Sequence, residues 1–126
     1  MACLDFSPDG RILASGSEDG MAALWDVSTR RRTHLWRAER SSTEAVAFSP
    51  DGTRLATGTS GEDDECVGHL WDLRTKRELL SLAGGGGWFF AMKFSPEGDA
   101  LLCLDHTGEH CYQWRVPSFA ELDAGR

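Results

Sequence analysis

The stretch FSPDG occupies residues 6–10, returns at 48–52 and recurs at 94–98 as FSPEG. Each copy has the chemistry of a tight turn: proline presets φ, the acid bonds forward to the backbone, and glycine accepts a positive φ. Each follows a short apolar run ending in the phenylalanine. Each precedes a second such run, RILASGS at 11–17, RLATGT at 54–59 and ALLCLD at 100–105. Strand, turn, strand is therefore written three times. A second phrase keeps the same beat: Trp25-Asp26-Val27, Trp71-Asp72-Leu73 and Trp114-Arg115-Val116. The phenylalanines stand 42 and 46 residues apart and the tryptophans 46 and 43, which makes the chain an internal repeat.

The markers set a register of short strands. Strand a covers about 2–6, 44–48 and 90–94, and strand b about 11–17, 54–59 and 100–105. Strand c covers about 21–27, 67–73 and 110–116. Strand d covers 33–37 and 78–82, with a third copy at 118–122. Four short strands per period with a Trp-Asp mark resemble a blade of the WD-repeat β-propeller family, most closely at 45–73. The resemblance spans nearly the whole chain. It implies an all-β fold of three four-stranded antiparallel blades over 1–126, at about 1–37, 44–82 and 90–122.

In this family a histidine, a Ser or Thr, an aspartate and the tryptophan form a hydrogen-bonded tetrad. By resemblance the first repeat offers Ser15, Asp19 and Trp25, and the second Thr57 and Trp71. The third places Cys103 where a hydroxyl is expected and Arg115 where Asp26 and Asp72 stand. The family's Gly-His pair is replaced by Ala38-Glu39 and Gly84-Gly85. Trp25, Trp71 and Trp114 recur in phase and are expected to be structural.

Closed propellers need roughly four to eight blades, each packed between two neighbours. Three blades form an open array rather than a closed ring, with one uncovered face at each end. Three arrangements answer this: further blades of a longer chain, a second copy that closes a ring, or an array stable as it stands. Uncovered apolar faces are interaction or aggregation sites.

Composition narrows the partners. The 126 residues carry a net charge of −7, which disfavours nucleic acid and anionic membranes. No apolar run approaches the ~18 residues of a membrane span, and the start of the chain does not read as a signal peptide. The four cysteines lack scaffold-like spacing, so reduced thiols and a cytoplasmic location are expected.

Catalytic and metal chemistry find little footing. Cys103, His106, His110 and Cys111 have metal-type residues, but adjacent His110 and Cys111 point to opposite faces of a strand. They are read as strand cysteines and turn histidines, with no metal or cofactor expected. The acids Glu62, Asp63, Asp64 and Glu65 are consecutive, unlike the alternating ligands of a calcium loop. The run GGGGW at 84–88 lacks the lysine and helix of a phosphate loop. No G-x-S-x-G elbow is present. The chain is not expected to be an enzyme.

Function is therefore expected to be protein binding by a segment of a WD-repeat scaffold. Residues 114–126 resemble the end of bacterial proteins that fuse a kinase to such a domain. This implies an alternative, a C-terminal regulatory or sensing segment of a larger signalling enzyme. Trp36 and Trp88 break the repeat and are candidate interface anchors. The b–c turns carry Glu18, Asp19, residues 62–65 and Asp105, whereas the c–d turns carry Arg30, Arg31, Arg32, Arg74, Lys76 and Arg77. The acidic end, with its irregular loops, is the expected site for a protein partner with a basic surface.

Overall fold

A computed structural model of the protein describes residues 3–38, 43–59, 66–83, 89–105 and 111–115. Every regular element among them is a strand. The first sheet holds β1 (Cys3–Phe6), β2 (Ile12–Gly16), β3 (Met21–Asp26) and β4 (Arg31–Arg37). The second holds β5 (Thr43–Phe48), β6 (Arg54–Thr59), β7 (Cys66–Asp72) and β8 (Arg77–Ala83). The third holds β9 (Phe89–Phe94), β10 (Ala100–Asp105) and β11 (Cys111–Arg115). All neighbours pair antiparallel in chain order. Among the described residues, the expected three four-stranded blades appear as two four-stranded sheets and one of three strands. The fourth strand expected at 118–122 lies outside the described residues.

The repeat is physical as well as textual. Leu13 lies opposite Phe6 and Trp25, Leu55 opposite Phe48 and Trp71, and Leu101 opposite Phe94 and Trp114. Cross-strand partners share a sheet face, so phenylalanine, leucine and tryptophan occupy one face of each of the first two sheets, and Phe94 and Leu101 one face of the third. A register shift precedes the tryptophan in the β3–β4 and β7–β8 pairings alike.

Serine is the hub of each a–b turn. Gly10 N donates to Ser7 O at 2.9 Å, Gly52 N to Ser49 O at 2.9 Å, and Gly98 N to Ser95 O at 2.9 Å. The serine hydroxyl then accepts from the first amide of the next strand: Ile12 N at 3.0 Å, Arg54 N at 3.0 Å and Ala100 N at 3.1 Å. It donates onward to Asp9 and Asp51, each at 2.6 Å. In the third turn Glu97 replaces that aspartate, and Ser95 Oγ donates instead to Asp99 at 2.9 Å. The glycines close the turns at φ 74°, 76° and 77°, a conformation costly to any residue with a Cβ.

The aspartate after tryptophan organises the c–d turn. Asp26 Oδ1 accepts from Ser28 N at 2.9 Å and Ser28 Oγ at 2.7 Å, and Asp72 Oδ1 accepts from Arg74 N at 2.9 Å. Arg30 N and Lys76 N then close onto Asp26 O and Asp72 O at 2.7 Å each. This carries Arg30 and Lys76 to φ 61° and 62°. Beside the second turn Arg54 is 95% buried, and it is flanked by the Asp51 and Asp72 carboxylates, whose charges counter the cost of burying a guanidinium.

Each sheet covers the next. Ala14 and Leu24 of the first sheet pack on Val46, Phe48, Leu55 and Leu73 of the second, flanked by Cys3 and Trp36. On its other side the second sheet sets Ala45, Ala47, Ala56 and Leu70 against Met92, Phe94, Leu101 and Cys103 of the third. Alanine-rich faces thus meet faces of bulky side chains. Full burial of a residue such as Leu55 stabilises by about 1.5–3 kcal/mol. The inner strands follow one another in an open row, β1 and β2 beside β5, then β5 and β6 beside β9.

Two measurements check these assignments. Trp71 Nε1 donates to Thr57 Oγ1 at 3.0 Å, and its ring meets Trp36 edge-on at 5.9 Å. Trp71→Ala is expected to cost about 3 kcal/mol in chemical denaturation; unchanged stability contradicts the register. The second concerns acid. Burial pushes the Asp51 carboxyl up, but hydrogen bonds from Ser49 and Thr53 and the Arg54 charge hold it below the usual carboxylate range. A depressed folded pKa gives stability that is present above the ordinary value of 3.8 and lost as pH falls through the folded value. Ser49→Ala weakens that depression. The gap in melting temperature between wild type and Ser49→Ala is therefore expected to narrow as the medium is acidified below the ordinary carboxylate range. A constant gap means the hydroxyl acts only through the Arg54 amide.

Candidate functional site

The tetrad implied by resemblance is half formed in two sheets. Trp25 Nε1 donates to Ser15 Oγ at 2.9 Å, matching the Trp71 to Thr57 bond at 3.0 Å. Asp19 serves its own turn, accepting from Ser17 Oγ and from Met21 N at 3.3 Å. The Ser17 bond holds the Asp19 carboxyl below its ordinary pKa. In the second sheet a residue that sequence reasoning missed sits beside the pair. His69 lies opposite Thr57, with its ring 5.9 Å from Trp71 and its Nε2 3.7 Å from Glu78 Oε1. Its signal is the i, i+2 spacing from Trp71, which puts both on one face.

Trp36 belongs to the joint between the first two sheets. It is half-buried, packed edge-on to Trp71 and against the core, and its buried indole N–H has no hydrogen-bond partner among the described residues. Asp26 and Asp72 are turn organisers, and Trp114 lies opposite Leu101 in the strand register. Glu62, Asp63, Asp64, Glu65 and Trp88 lie outside the described residues. Of the four residues weighed as zinc ligands, only the Cys103 side chain is described, buried beneath the second sheet.

Charged side chains gather at both ends of the strands. Arg30, Arg31, Arg32, Arg74, Lys76 and Arg77 are exposed at the c–d turns, and Glu18 and Asp19 are exposed at the first b–c turn. Successive turns of an antiparallel meander alternate between the two ends of the sheet, so the c–d cations share an end with the exposed a–b acids Asp9, Asp51, Glu97 and Asp99. Glu18 and Asp19 share the other with Arg37, which donates to Asp19 O at 2.8 Å. Between the inner strands runs an apolar groove of about 750 Å³, lined by Leu4, Phe6, Val46, Phe48, Met92 and Phe94 among others. The turn residues Pro8, Pro50 and Pro96 border it on the c–d side. Such a site can bind and orient a protein segment, its lining mostly apolar with Asp5, Ser49, Lys93 and Ser95 among it. No helix among the described residues is long and apolar enough to cross a membrane.

Comparison with known proteins bears on the same repeats. The family pattern described as WD domain, G-beta repeat, matches residues 2–26 and 31–72. WD repeat-containing protein 70 of Xenopus laevis is 35% identical over 107 residues, 79% of this chain and 17% of that protein. The Protein LST8 homolog of Drosophila melanogaster is 28% identical across 95% of this chain and 38% of its own length. A guanine nucleotide-binding protein subunit beta of Arabidopsis thaliana is 28% identical across 90% of this chain and 31% of its own length. The chain thus spans well under half the length of these relatives, and they lend the kinase-linked alternative no support. Two matched repeats, their shared register and their Trp-to-hydroxyl bonds make this chain a member of the WD-repeat family.

Proposed function

We propose that this chain is a protein-binding segment of a WD-repeat scaffold, acting without chemistry of its own. The exposed acids of the first b–c turn, Glu18 and Asp19, carry the reading; the arginines and Lys76 of the c–d turns stand at the opposite end. A relative named as a subunit, the guanine nucleotide-binding protein subunit beta, is in keeping with this. The partner docks at the acidic end, where Glu62, Asp63, Asp64, Glu65 and Trp88 add charge and an aromatic anchor, and it presents a basic surface.

The test isolates a partner by affinity capture and compares two variants against it. One neutralises Glu62, Asp63, Asp64 and Glu65 to their amides; the other replaces Arg30, Arg31 and Arg32 with glutamine. The acidic variant is expected to bind at least about tenfold more weakly and to lose its salt dependence, as steering by complementary charge requires. The arginine variant is expected to bind as wild type. Weakening by the arginine change alone places the partner at the other end and overturns the assignment.

A further inference from the structure

The outermost strands of the first two sheets differ at one equivalent place. In the β3–β4 pairing Leu24 faces His34 and Trp25 faces Arg32, so Thr33 is an extra residue with no cross-strand partner. In the β7–β8 pairing Leu70 faces Leu80 and Trp71 faces Glu78, so Leu79 holds the same place. Leu79 and Leu80 are partly buried and pack on the core between the second and third sheets. Thr33 and His34 stand in their places on the first sheet, and both are exposed. His34 lies opposite Leu24, on the face that the second sheet covers, so an uncovered sheet does not explain the exposure. A hydroxyl and an imidazole replace two leucines of the packing surface.

That hydroxyl is lightly held. Thr33 Oγ1 donates to Leu24 O at 3.2 Å and lies 3.2 Å from His34 Nδ1. Residues 27–35 are all exposed, the longest such run among the described residues. β4 is the outer edge of its sheet, so detaching this segment breaks ladder hydrogen bonds but takes no buried side chain of its own into water. Segments of that kind open at low cost. Immediately ahead of Thr33 stand Arg30, Arg31 and Arg32, all exposed. Protein kinases select substrates by complementary charge, and three cations ahead of a hydroxyl match a kinase cleft lined with carboxylates.

We propose that Thr33 is a phosphorylation site for an arginine-directed serine/threonine kinase, presented on the edge of β4. In the transfer Thr33 Oγ1 attacks the γ-phosphorus of ATP. The bond from that phosphorus to the β–γ bridging oxygen breaks, ADP leaves, and the hydroxyl proton passes to the kinase's catalytic base. The new group carries a charge of about −1.5 to −2. It enters beside Arg32 and His34, of which the guanidinium and the protonated imidazole can donate to it. Modification offsets the positive charge of the first c–d turn and leaves Glu18 and Asp19 at the other end untouched. The site therefore stands whether or not the acidic end binds a basic partner.

The test incubates the full chain with magnesium, ATP and the catalytic subunit of the cyclic-AMP-dependent protein kinase, which accepts basic substrates. Phosphate is then located by peptide mass mapping. Wild type is expected to take up one phosphate, at Thr33. Thr33→Val is expected to take up none and Thr33→Ser to accept it, with circular dichroism showing all three folded alike. Arg30→Gln combined with Arg31→Gln is expected to slow uptake at least about tenfold. A synthetic peptide of residues 27–37 supplies the unfolded comparison, and the folded chain is expected to react within about tenfold of its rate. No uptake by wild type, or modification of the peptide but not of the folded chain, overturns the proposal. So does phosphate at Ser41 or Ser42 in place of Thr33, or unchanged uptake by Thr33→Val or by the arginine variant.

Discussion

The joint between Ala14 and Leu24 on one side and Val46, Phe48, Leu55 and Leu73 on the other is the contact on which the array rests. A four-stranded sheet with one aromatic face is marginal alone, because that face gains little until water is excluded from it. The protein meets this by giving each covering sheet a face unlike the one it covers. One is small and flat, as at Ala45, Ala47 and Ala56; the other is bulky, as at Met92, Phe94 and Leu101. Stacking puts small against bulky, so each joint fills without large side chains colliding. Stability then grows sheet by sheet, as in any repeat array held by neighbour contacts.

The polar groups follow the same plan. Within a sheet the tryptophan indole is satisfied locally by Ser15 or Thr57, which leaves its ring as part of the packing surface. Between sheets the Asp5 carboxylate takes the Phe48 amide, so a buried N–H at the inner edge is paired. The turns hold the strands at the spacing these contacts need. Serine and aspartate lock the a–b turn, aspartate the c–d turn, and the positive-φ residues close each one.

Much of this was legible in the sequence because it is local. FSPDG and the Trp-Asp mark depend on residues a few places apart, and the observed strands lie within two residues of those read from them. The small first member of the tetrad pair, Ser15 or Thr57, was legible by resemblance. What was not legible depends on stacking. Asp5 looks like an ordinary strand residue until Phe48 is beside it, and Trp36 looks like a surface anchor until Trp71 meets its edge. Asp19 was read as a tetrad member, whereas its short side chain bonds within its own turn, the habit that suits aspartate to turns. His69 carried no repeat signal, since Ala23 holds its place in the first sheet.

One substitution made at two equivalent positions tests the claim that stability resides in covered faces. Phe48 and Phe6 occupy the same place in successive repeats, opposite Leu55 and Leu13, yet Phe48 is 7% exposed and Phe6 57%. Chemical denaturation of Phe48→Ala and Phe6→Ala isolates the effect of the covering sheet from that of the residue. The account predicts a loss of about 3–5 kcal/mol at Phe48 and below about 1 kcal/mol at Phe6. Equal losses at the two positions would contradict it.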